Sequence, residues 1–195
     1  MSEGVPGTYR AKTALEICKN VPIGDEAKAI LTKDLSPRQF LDVLIDQGLF
    51  NDAVRFMAFA LPKRESVWWG LRCAQQAYGA SPAPEPVAKA LKATDLWLNA
   101  PNEDNRRGAM TAAEVAGFGT PAGCAALAAF FSGGSMGPAN VQAIPPGETL
   151  VPQAVAGAVM LAVVVVEPEK AEEKNRRFLS QGFEVANGSS RWGGR

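Results

Sequence analysis

The sequence predicts an all-α protein, and three observations carry that prediction. Apolar residues recur at helical spacing along most of the chain, with little period-two alternation. The residues around them are mainly Ala, Leu, Lys, Glu, Gln and Arg, which lose little on entering a helix. Proline and glycine then punctuate the chain at Pro22, Gly24, Pro37, Gly48, Pro62, Pro101, Pro121 and Pro168, leaving segments of helical length between them.

The individual segments follow from their start and stop signals. After a first helix from Ala11 and a short one at about 25–32, "SPRQFLDVLIDQG" offers Ser36 as N-cap, Pro37 at the first helical position and Gly48 as the stop. "LFNDAVRFMAFALP" follows after a very short turn, so the two make a helical hairpin. Pro62 opens the next helix, "PKRESVWWGLRCAQQAYG", and "APEPVAKALKATDLWLNAP" stops before Pro101. Residues 102–117, 120–132, 149–167 and 169–187 complete the set. The expectation is about eight or nine helices in a single domain, residues 10–187, with flexible termini at 1–9 and 188–195. Turns recurring about every 20 residues suit HEAT-like stacked helical hairpins, and the absence of a self-similar motif suits a compact irregular bundle equally well.

Composition excludes several functions. The chain has 195 residues and no histidine, so Ser-His-Asp and Cys-His nucleophiles, histidine-ligated zinc and the usual neutral-pH proton shuttle are closed to it. Twenty Lys plus Arg balance twenty Asp plus Glu, so no overall field recruits nucleic acid or an acidic membrane. Cys18, Cys73 and Cys124 lie far apart without metal spacing and read as free, buried thiols. No cofactor fingerprint and no metal set is present, so no cofactor is expected. The first residues lack a signal peptide's apolar stretch, which points to the cytoplasm. The most apolar run, Ala154 to Val166, makes a helix of about 20 Å, short of the roughly 30 Å of a bilayer core. A central core helix is expected there, with no membrane insertion.

Two places remain as candidate sites. In "PKRESVWWGLRC", adjacent Trp68 and Trp69 point about 100° apart on a helix. One therefore packs inside while the other reaches a groove or the surface. Arg72, four residues after Trp68, is spaced for a cation–π contact. With Lys63 and Arg64 these residues have the composition of a binding hot spot, and the surface role is assigned to Trp69; the plainer alternative is core packing. The second place joins "PNEDNRRG" to "FFSGGSMGP". Asn102 reads as an N-cap and Glu103–Arg107 as an i,i+4 ion pair, while Gly133 and Gly134 read as a helix end. The functional alternative is an anion or ligand site built from Glu103, Arg106, Arg107, Ser132, Gly133, Gly134 and Ser135.

"LPKRESVWWGLRCA", "WLNAPNEDNRRGAM", "FGTPAGCAALAAFFSGGS" and "AVAGAVMLAVVVVEPEKAEEKNRRFLSQG", in that order, resemble a family of uncharacterised bacterial proteins, a domain of unknown function. The similarity runs from about residue 10 to 188. It supplies no activity to transfer, and implies an accessory protein associated with type VI secretion genes. The expected function is therefore a cytoplasmic accessory or adaptor protein that binds another protein. The rival expectation is a small-ligand-binding protein, or a histidine-independent enzyme, at Ser132–Ser135 with Arg106 and Arg107.

Overall fold

Local capping chemistry sets where the helices begin. The structure, a computed structural model, describes residues 9–79, 82–138 and 141–188. It has ten α-helices and no strand among those residues: α1 Ala14–Cys18, α2 Asp25–Ile30, α3 Pro37–Asp46, α4 Phe50–Ala60, α5 Lys63–Gln76, α6 Glu85–Asn99, α7 Glu103–Ala116, α8 Pro121–Phe130, α9 Leu150–Val164 and α10 Ala171–Ala186. A single 3-10 turn, Pro168–Lys170, leads into α10. Ser36 caps α3 through a complete capping box with Gln39, and Asn102 caps α7 by accepting from the Asn105 amide at 2.9 Å. Gly48 follows α3 at φ +71, a conformation that favours glycine. Of the flexible ends expected, residues 1–8 and 189–195 lie outside the described residues.

The core explains the architecture. α9 packs against α4, α5, α8 and α10, and α8 touches α5, α6, α7 and α9. In a stack of hairpins each unit meets only its sequence neighbours. Here two central apolar helices are wrapped by the others, so the all-α fold is a bundle. Ala-rich α8 buries Ala122, Ala125, Ala126, Ala128 and Ala129, and α9 answers with Val151, Val155, Ala158, Val159 and Ala162. Small side chains on both helices permit a close approach, which is why so much apolar surface fits between them.

α9 matches the expected core helix, except that its last residue Val164 and its cap Val165 remain about half exposed. No single described helix is long and apolar enough to cross a membrane. The three cysteines are free, two buried and Cys18 half-buried. Burial raises the pKa of all three thiols, that of Cys18 to about 11. None is therefore the readily ionised thiol that nucleophilic chemistry needs.

Two polar contacts hold the periphery, and neither was anticipated. Asp52, buried in the first turn of α4, accepts the Gly24 amide at 2.9 Å and so ties the start of α2 to the bundle. Lys174 was expected on a charged surface face, but only 6% of it is exposed. Its ammonium donates to the carbonyls of Val163, at 3.2 Å, Val166, and Glu167, at 3.1 Å. A cation at the C-terminal end of α9 satisfies its leftover acceptors and opposes the negative end of the helix dipole. Lys174→Met should lower stability by about 2 kcal/mol by leaving those carbonyls without their donor; urea unfolding measures it.

Candidate interaction site

α5 begins at Pro62 and presents its side chains by the 3.6-residue period, so Trp68 and Trp69 diverge as expected. Their assignment is the reverse of the expected one. Trp69 is fully buried and its Nε1–H donates to the Phe178 carbonyl of α10 at 2.8 Å. This indole is a core anchor whose polar edge is satisfied inside the protein, and it has no surface to offer a partner. Trp68 is the half-buried member of the pair. The Arg72 guanidinium lies 5.4 Å from its ring centroid and 3.3 Å from the Glu184 carboxylate of α10. Arg72 is thus held from one side by an acid and carries its positive charge beside the Trp68 ring.

The other members of the set divide in the same way. Arg64 is half-buried and donates to the Leu98 carbonyl near the end of α6, so it latches α5 to α6. Lys63 is half-buried in the first turn of α5. Continuing along the α5 face from Trp68 and Arg72, Gln76 accepts from the Gln181 amide at 3.0 Å. Next to it opens a cleft of about 360 Å³ lined by Gln75, Gln76, Lys170, Glu173, Lys174 and Arg177 among others. Trp68, Arg72, Gln75 and Gln76 are spaced four, three and one residues apart, so they form one stripe that runs into this cleft. The cleft was not legible in the sequence, because it depends on α10 lying beside α5. Its one sequence signal was the cluster of charges at the start of α10.

The second candidate cluster does assemble, and it closes on itself. Arg106, only 4% exposed, grips Glu103 with two hydrogen bonds of 2.7 and 2.8 Å. Its remaining donors reach the carbonyls of Phe130, at 2.7 Å, and Ser135, at 2.8 Å, and its guanidinium lies 4.5 Å from the Phe130 ring centroid. Arg107 joins Glu103 at 2.7 Å, the expected i,i+4 pair, and donates to the Gly137 carbonyl at 3.0 Å. Ser135 Oγ accepts the amides of Gly137 and Ile144, each at 3.1 Å. Both arginines therefore serve backbone carbonyls of the segment after α8.

Gly134 was expected to cap α8, and its φ of +65 is indeed left-handed. A closer reason for glycine is the arginine itself, since a Cβ there would come within 2.8 Å of Arg106 Nε. Gly133, by contrast, has open space around it, and Ser132 is half-buried at the turn. The whole arrangement is a clamp that fastens the post-α8 segment onto α7. It leaves the guanidinium donors little capacity for an incoming anion.

The hydrogen bonds from Arg106, with those from Arg107 behind them, hold the Glu103 carboxyl down at about 2 against an ordinary 4.5. A lowered folded-state pKa contributes stability that is complete above the unfolded value and is lost as pH falls through the folded one. Stability should therefore drop between about pH 5 and pH 2 partly through Glu103. Glu103→Gln should flatten that part of the profile, read by urea unfolding at stepped pH.

A model of a family of unknown function, DUF6931, matches residues 40–186. The chain belongs to this DUF6931 family. The matched stretch runs from Phe40 in α3 to the last residue of α10, so the α5 stripe, the cleft and the arginine clamp all fall inside the DUF6931 region. α1 and α2 precede it. No curated protein and no solved structure matches the chain.

Proposed function

We propose that this DUF6931 protein is an accessory or adaptor protein that works by binding another protein, through the α5 face centred on Trp68 and Arg72. The observation that carries the reading is the disposition of Trp68. A large aromatic ring reaches the surface beside a guanidinium held in place by Glu184, on a helix whose other tryptophan is fixed in the core. Tryptophan and arginine side by side, already ordered before binding, contribute most per residue to protein interfaces, since little side-chain entropy is lost on association. The adjoining cleft extends this surface with polar and charged groups suited to an interface rim.

A bacterial, cytoplasmic setting is part of the proposal and rests on the family resemblance alone. So does a place beside a type VI secretion system, where a partner is first to be sought. Among the described residues no group of three or more His, Cys, Asp or Glu side chains is placed to hold a metal ion. The rival reading, ligand binding or catalysis at Ser132–Ser135, draws no support from arginines already committed to Glu103 and to backbone carbonyls.

The test is affinity capture with the full chain from its own organism at moderate salt, quantified by mass spectrometry. The expected result is one protein retained in stoichiometric amount. Repeated capture with no stoichiometric companion would count against an adaptor.

A further inference from the structure

The clamp raises a separate question, because two arginines and a serine are spent on fastening a surface segment. What they fasten is the stretch after α8, whose stem is pinned at Ser135 and Gly137. The Met136 amide closes the stem by donating to the Ile144 carbonyl at 2.8 Å, and the Ile144 amide donates to Ser135 Oγ. Beyond these bonds, Gln142 to Gly147 has no helix, strand, turn or bend. Val141 and Ile144 are 51% and 53% exposed, and Gln142, Ala143 and Pro145 are exposed as well. Apolar side chains raised on a fastened segment are unusual where burial was available, as it is a few residues away in α8 and α9.

Proline decides the shape of this segment. Pro145 and Pro146 fix their own φ near −65°, and each forces the residue before it, Ile144 and Pro145, out of the helical region. The backbone these rules favour is polyproline II, which repeats every three residues. Val141 and Ile144 are three apart, so that repeat sets them on one edge, with Pro145 beside them. We propose that residues 141–146 are a presented docking segment, read by a partner protein through a groove lined with Trp or Tyr side chains. Such grooves take up prolines and the apolar residues between them, and they profit from a ligand whose conformation is fixed beforehand. The clamp and the two prolines supply that fixing. This surface is built on different elements from the α5 face, so it goes beyond the preceding proposal and stands without it.

The experiment uses the full chain carrying a photo-crosslinking benzoylphenylalanine in place of Ala143, expressed in its own organism and irradiated. The expected result is one adduct with a different protein, mapping by mass spectrometry to a Trp- or Tyr-lined groove. Its yield should fall at least tenfold in Ile144→Asp and in the double variant P145A/P146A. It should survive Trp68→Ala, which separates this proposal from the α5 reading. The proposal is overturned by no adduct above that of a control probe at exposed Glu172. It is equally overturned by an adduct with a second copy of this chain, by one on a partner surface without aromatic residues, or by a yield unchanged in both variants.

Discussion

Trp69→Ala is expected to be the most damaging single substitution in the protein, costing about 3–5 kcal/mol. The ring is completely buried where α5 meets α10, and α5 also packs against α9. Truncation removes that apolar surface from the core and leaves a cavity too well walled to collapse. It also deprives the Phe178 carbonyl of the indole N–H that reaches it at 2.8 Å. For a chain of this size the loss corresponds to a fall in melting temperature on the order of 10 °C. Trp69→Phe should recover most of the packing but not the hydrogen bond, and so fall between the two. A Trp69→Ala protein melting within a degree or two of wild type would contradict the core assignment.

Arg106→Ala should be the second largest effect, about 3 kcal/mol. Its guanidinium donates to Glu103 and to the carbonyls of Phe130 and Ser135 from a position almost closed to water. Removing it leaves a buried carbonyl at the end of α8 without its donor and cuts one of the two arginine ties on the following segment. Arg106→Lys should rescue little, because an ammonium cannot reproduce the two-pronged grip on Glu103 while also reaching both carbonyls. Hydrogen exchange gives the discriminating readout: the Gly137 and Ile144 amides, bonded to Ser135 Oγ, should lose protection ahead of the rest of the protein. Uniform loss of protection would show that Arg106 stabilises the core generally and does not act as a clamp.

The two substitutions also show what the sequence could and could not reveal. Helix identity was legible because caps and breakers act locally: Ser36, Pro37 and Asn102 do in the structure what their types predict. The Glu103–Arg107 pair and the Trp68–Arg72 contact were legible for the same reason, since i,i+4 spacing fixes both. Which tryptophan faces inward was not, because that depends on α10 returning to pack against α5 from over a hundred residues away. Lys174 was misjudged on similar grounds. In a run of charges it looked like a solvated residue, and only the sharp turn between α9 and α10 brings its ammonium onto the carbonyls at the end of α9. The role of Arg106 combined both cases, a local partner in Glu103 and distant ones in Phe130 and Ser135.

The division of labour between the two tryptophans is the central claim, and a binding titration tests it most directly. The captured partner, once purified, is titrated by calorimetry against the wild type and Trp68→Ala, each with its melting temperature measured. The account predicts at least a tenfold weaker association for Trp68→Ala, with stability changed by only about 1 kcal/mol because that ring is half-exposed. Undiminished affinity in Trp68→Ala would contradict it and move the contact surface elsewhere on the molecule.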